Sequence, residues 1–201
     1  RAIGRGGTRR SLVGMIKRIR SAVPDVALRT AFIVGFPGES EEDFAGLRDF
    51  VEEMRFERLG VFAYSKEAGT PAAKIRGQVP KRTKEKRREE IMRLQSYISL
   101  EKNRALEGKK CRVLVDEVEG TTAIARLSSQ APEIDGVVII DSAAGTSRLT
   151  PHVLRPLRAG EFVDVLITEV FDYDLKGIVV EVPVPVELHL KFGIGNRKGR
   201  S

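Results

Sequence analysis

The sequence predicts an α/β portion followed by a β portion: the end of a larger α/β domain, a long charged helix, and a small five-stranded β-barrel. Three observations carry this. An apolar run, a glycine turn and an amphipathic segment succeed one another over residues 27–55, and a second apolar run follows at 59–64. Residues 83–106 keep a helical apolar period amid dense charge. Beyond Gly108 the period changes to two, in short stretches broken by Gly, Pro and Asp.

Each element follows from its residues. Residues 1–7 are glycine-rich and read as a loop. Thr8 is placed to cap a helix over 8–22, with Leu12, Ile16, Ile19 and Val23 on one face and Pro24-Asp25 ending it. Residues 27–34 form a strand, and the run Ala31 to Val34 reads as buried on both faces, as in a parallel sheet. Gly35, Pro37 and Gly38 stop it. Ser40 then caps a helix reaching about Arg55. Glu41, Glu42 and Asp43 sit at the positive end of its dipole, and Phe44, Leu47, Val51 and Met54 form its apolar face.

The run Leu59 to Tyr64 is the next strand, so the order is α-β-α-β. Two strands cannot bury both their faces, so this half is expected to be the end of a larger domain, with the chain starting mid-fold. The helix over 83–106 is expected to bury Ile91, Leu94, Ile98 and Ala105, to turn its lysines and arginines to solvent, and to end at Gly108. Strands are expected around 111–115, 121–127, 137–141, 161–170 and 175–182, enough for a small closed barrel. The tail from Pro183 reads as mobile. The expected divisions are 1–75, 76–107, 108–182 and 183–201.

Composition excludes several function classes. Of the 201 residues 41% are hydrophobic and 31% charged, and no apolar run approaches the roughly 20 residues of a membrane span. The single cysteine, Cys111, rules out an internal disulfide framework, fits a cytoplasmic location, and reads as a buried strand residue. It also rules out an iron–sulfur cluster held by this chain alone. His152 and His189 are far apart and read as surface residues. The net charge of +7 divides unevenly, with +8 over residues 1–107, −4 over 108–182 and +3 over the last 19. A basic first half and an acidic second half suggest two modules with different partners.

Gly35-Phe-Pro-Gly38 is either a plain βα turn or the ligand-facing loop that α/β folds place at strand carboxyl ends. It is not a phosphate loop, because no Lys-Ser/Thr pair follows the glycines. The segment Ile33-Val-Gly-Phe-Pro-Gly-Glu-Ser-Glu-Glu-Asp-Phe44 resembles the signature of the methylthiotransferase branch of radical S-adenosylmethionine (SAM) enzymes. Ser65 to Ala73 resembles that family's element after the last barrel strand. Gln78-Val-Pro80, Lys86-Arg-Arg88, Leu94-Gln95 and Ile98 to Asn103 resemble its linker helix. Ala131-Pro-Glu-Ile-Asp-Gly136 resembles the RimO-type members, which methylthiolate an aspartate of a small-subunit ribosomal protein.

That resemblance covers residues 1–182 and makes 1–75 the C-terminal portion of a radical-SAM partial (βα)6 barrel and 108–182 an OB-like TRAM barrel. It implies SAM as cofactor, and two 4Fe-4S clusters in the full-length enzyme, one of them reducing SAM to start the reaction and the other delivering the sulfur. Their cysteine ligands are absent from this sequence, so the chain alone is expected to be inactive, with no catalytic or metal-binding residue of its own. Ile33 and Gly35 are expected against the adenine, Phe62 and Tyr64 beside the nucleoside, Arg29 across the mouth, and Arg5 near the cofactor carboxylate. Glu39 is expected to support the helix start.

Charge decides the expected partner. An acidic barrel suits a basic ribosomal protein, with Asp135, Asp141, Asp172 and Asp174 as the candidate surface. The alternatives are a tRNA methylthiotransferase portion, or a non-catalytic nucleic-acid adaptor using Lys86, Arg87 and Arg88 and the barrel aromatics Phe162, Phe171 and Tyr173.

Overall fold

The computed structural model describes residues 7–141 and 156–181. The expectations for Arg5, His152, His189 and the tail fall outside them.

Helix α1 (Arg9–Ala22) begins at Thr8, whose side chain accepts from the Ser11 N–H while the Ser11 hydroxyl accepts from the Thr8 N–H. Strand β1 (Arg29–Val34) leads through Gly35 and Gly38, both at positive φ, to α2 (Glu41–Met54). Ser40 and Asp43 close the same reciprocal cap there. Arg55, at φ 47°, ends α2 and turns the chain into β2 (Arg58–Ala63). The two strands pair in parallel from Arg29↔Arg58 to Val34↔Ala63. This is one βαβ unit, with α2 as its crossover.

A short 3₁₀ turn (Pro71–Lys74) precedes α3 (Lys81–Arg104), which lies against β2 and α2. Phe44, Val51, Met54, Leu59, Val61, Ile91 and Ile98 pack together between strands and helices. Burying each such apolar side chain is worth about 1.5–3 kcal/mol.

Three expectations change here. Strand β1 is covered on one face only: Val34 is fully buried, while Ile33 and its register partner Phe62 are 55% and 62% exposed. With two strands and the helices on one side, only the loop around Asp135 reaches the other among the described residues, and only at its amino end, where it meets Arg29 and Arg58. In α1 only Ile16 is buried, while Leu12 near its start and Val23 at its C-cap stay exposed. The buried line of α3 is largely polar. Arg87, Gln95, Ser99 and Asn103 join Ile91 and Ile98, whereas Ala105 is exposed and Leu94 half-buried. The helix also ends at Arg104, four residues before Gly108.

The second half is a closed barrel of β3 (Lys110–Glu119), β4 (Thr122–Leu127), β5 (Val138–Asp141), β6 (Phe162–Val170) and β7 (Leu175–Glu181), in the order β3-β4-β5-β7-β6. Only β5 and β7 run parallel. Alternate residues point inward, so Val113, Val115, Ala123, Ala125, Val138, Ile140, Val163 and Val165 are each 1% exposed or less. This is the five-stranded topology of the OB kind. Gly177 sits in β7 where a Cβ would stand 2.9 Å from the Leu166 carbonyl oxygen. Cys111 is half-buried on β3, and its burial, partly offset by Lys109, raises its thiol pKa.

Candidate functional site

The bare face of the βαβ unit carries alternate residues of both strands: Arg29, Ala31 and Ile33 beside Arg58, Gly60 and Phe62. At its carboxyl end Ile33 and Phe62 stand side by side, with Gly35 and Tyr64 two residues further on. Tyr64 packs edge-on against Phe36, with ring centroids 5.2 Å apart. Its hydroxyl is buried and has no hydrogen-bond partner. The end of the sheet thus offers two exposed apolar side chains, a tight glycine turn and an unsatisfied buried hydroxyl. Such a set suits the flat apolar ring and polar rim of a nucleoside.

The loop beneath is held electrostatically. Both carboxylate oxygens of Glu39 accept from the Gly35 N–H, at 2.9 and 3.0 Å. Arg87 of α3 donates to the Glu39 carboxylate and to Glu41, each at 2.6 Å. Burial works against the Arg87 charge, but the hydrogen bond it donates to Glu41 and the two carboxylate charges outweigh it and raise its pKa. Arg87, expected on a solvated face, is therefore buried at 4% exposure because two carboxylates reach it. Of the three residues of the adaptor reading, Lys86 is exposed and Arg88 half-buried beside Glu85, whereas Arg87 is taken inside.

Arg29 lies at the opposite end of β1 from Gly35. It donates to Asp135 of the loop between β4 and β5, and Arg58 lies 3.5 Å from the same carboxylate. Asp135 also accepts from the Ala131 N–H, and its side chain is 5% exposed. It therefore faces inward, as a tie between the two halves, and not outward to a partner. Asp174 accepts from the Val137 N–H. Asp141 and Asp172 remain exposed. A cleft of about 440 Å³ lies along this junction, lined by Arg58, Gly60, Gln95, Ile134, Asp135 and Tyr173 among others. Ile134, 74% exposed, stands at its lip. Among the described residues no group of three or more His, Cys, Asp or Glu could hold a metal ion, and no helix is long and apolar enough to cross a membrane.

The roles of Arg87 and Asp135 as internal ties escaped the sequence reading. The signal available for both was complementary charge, but their partners lie 46 to 106 residues away.

An OB-topology barrel joined by a long helix to a bare-faced βαβ unit defines a two-module protein with a TRAM barrel as its second module. The TRAM domain family matches residues 108–180. Over 180 residues the chain is 52% identical to the ribosomal protein uS12 methylthiotransferase RimO of Thermodesulfovibrio yellowstonii, covering 90% of this chain and 40% of that protein. Proteins of the same description from Carboxydothermus hydrogenoformans and Roseiflexus sp. are 44% and 46% identical, over 87% and 84% of this chain and 38% and 34% of theirs. Along nine-tenths of its length the chain is thus similar to RimO sequences, and it spans about two-fifths of the length of the curated relatives it matches.

Proposed function

We propose that the chain is the C-terminal part of a radical SAM methylthiotransferase that modifies an aspartate β-carbon of the small-subunit ribosomal protein uS12. The relatives' shared description supports the reaction class and substrate. The observation that carries the chain's own share is the bare sheet end. Ile33 and Phe62 would flank the adenine of SAM, and the unsatisfied Tyr64 hydroxyl would meet a polar group of the nucleoside. When bound, SAM supplies the hydrogen-abstracting chemistry together with clusters whose thiolate ligands would have to come from outside this sequence. What this chain's residues do is bind and orient: the apolar pair excludes water from one side of the ring, and the Glu39-held turn keeps the strand ends in place.

The barrel would dock the ribosomal protein through its acidic exterior, where Asp141 and Asp172 are exposed. The enzyme would act in the cytoplasm, where ribosomes are assembled. Incubating the longer protein, with its clusters loaded, with SAM and uS12 should add a methylthio group to one uS12 aspartate, read by peptide mass spectrometry. The 201-residue chain alone should add none. Unmodified uS12 in the presence of a cluster-loaded, SAM-cleaving enzyme would refute the assignment.

A second reading rests on one observation: Arg112 stands 5.1 Å over the ring of Phe162, which is 52% exposed on the barrel exterior. That pair suits a nucleobase stacked beside a phosphate. Salt-dependent binding of single-stranded RNA, lost in Phe162→Ala, would favour a nucleic-acid adaptor over the enzyme reading.

A further inference from the structure

We propose that the first turns of α3 brace the cofactor side of the site, with Arg87 and Lys84 as positioning residues for the ends of β1 and β2. The proposal rests on the SAM reading above and goes one step further, assigning a role to a helix outside the βαβ unit.

The two strand ends are held from one side by one helix. At the end of β1, the Gly35 N–H is fixed by the Glu39 carboxylate, and Arg87 fixes that carboxylate from behind, at 2.6 Å. Arg87 also donates to the Glu39 carbonyl oxygen at 3.3 Å, and its guanidinium lies 5.2 Å from the Phe44 ring centroid. At the end of β2, Lys84 donates to the Tyr64 carbonyl oxygen at 2.9 Å and stands 4.8 Å over the Tyr64 ring. The stem of Lys84 also fills the space above Gly35. A Cβ built there would be 2.4 Å from the lysine Cγ. Gly38 donates to the Gly77 carbonyl oxygen at 2.9 Å, so the connector before α3 closes the same loop.

Residues 33–35 and 62–64, the stretch assigned to the nucleoside, thus rest on a buried arginine and a lysine stem. A buried ion pair is a poor way to gain stability over an apolar contact of similar size. It is a good way to fix a loop, because a planar fork bound to two carboxylates has one geometry. The same helix reaches the barrel: Asn103 at its far end donates to the Phe171 and Asp172 carbonyl oxygens.

The test compares wild type with Arg87→Met, Arg87→Lys and the exposed control Lys86→Met. On the 201-residue chain, amide exchange at Gly35 should quicken by about tenfold or more in Arg87→Met and less in Arg87→Lys, with barrel amides such as Val113 unchanged. In the cluster-loaded longer protein, SAM should bind about tenfold or more weakly in Arg87→Met, while turnover at saturating SAM falls much less. Unchanged SAM affinity in Arg87→Met would overturn the proposal, even if Gly35 exchange quickens. If Arg87→Met does not fold, Arg87→Lys decides, and wild-type SAM affinity in that variant is the overturning result. If wild type itself binds no SAM, the functional reading fails and this proposal falls with it, while the Gly35 exchange separately reports whether the brace exists.

Discussion

Replacing Glu57 by Gln should cost the chain about 2–3 kcal/mol at neutral pH. The Glu57 carboxylate sits between α1, β1 and α3, and its side chain is 20% exposed. It accepts from Lys102 at 2.6 Å, from the Leu28 N–H at 2.8 Å, and from Arg20 at 3.1 and 3.2 Å. Hydrogen bonds to a charged group contribute about 1.5–3 kcal/mol each where water is excluded. Arg20 and Lys102 are 30% and 34% exposed, so solvent screens part of each ion pair, and the three contacts do not add in full.

The same carboxylate gives the pH dependence its sign. Burial alone would raise its pKa, but the Lys102 hydrogen bond, the Leu28 N–H and the charges of Lys102 and Arg20 outweigh burial and hold it below 4.5. The folded state therefore binds this proton less readily than the unfolded chain. Its contribution is complete above 4.5, and it is lost as pH falls through the lower folded value. Urea unfolding followed by circular dichroism, at neutral pH and at two acid values, reads both effects. The Glu57→Gln midpoint should drop with an unchanged slope, and the variant should lose less stability than wild type on acidification. A variant within about 0.5 kcal/mol of wild type at neutral pH, or one with the same acid dependence, would refute the reasoning.

Three further outcomes follow from the geometry. In Gly136→Ala the new methyl would lie 2.0 Å from the Tyr173 carbonyl oxygen, so the loop before β5 must move off the β6–β7 turn, at about 1–3 kcal/mol in thermal unfolding. Asp135→Asn should loosen the tie from Arg29 and Arg58 to the barrel, cost about 2–4 kcal/mol, and raise the rate of proteolysis between the two halves, read by timed digestion. The Cys111 thiol, pushed up by burial, should react with iodoacetamide more slowly than a free cysteine at neutral pH, with the rate rising only in more alkaline buffer.

The local devices of the fold were legible because they depend on near neighbours. Thr8 and Ser40 cap α1 and α2 from residues three positions on, and the period of two after Gly108 marks the inward faces of Val113, Val115, Ala123 and Ala125. What covers a face was not legible. The run Ala31 to Val34 is apolar at every position, yet only one side of β1 meets helices, and the stripe of Leu12, Ile16, Ile19 and Val23 is buried at Ile16 but exposed at Leu12 and Val23. Long-range charge pairing was hidden for a related reason. Arg87 sits in a run of lysines and arginines from 81 to 88 and is told apart only by the carboxylates of Glu39 and Glu41 folding onto it. The candidate site divides similarly: Ile33, Gly35, Phe62 and Tyr64 lie at one sheet end, whereas Arg29 and Asp135, assigned to different surfaces, meet each other.

In the proposed function the exposed carboxyl end of the two-stranded sheet faces the SAM adenine. A photoreactive azido-adenine analogue of SAM, cross-linked in the cluster-loaded longer protein and mapped by peptide mass spectrometry, tests this directly. Label should fall on peptides spanning 29–39 and 58–66 and should be competed away by SAM. Label confined to the barrel, or found on neither strand end while SAM still competes, would contradict it.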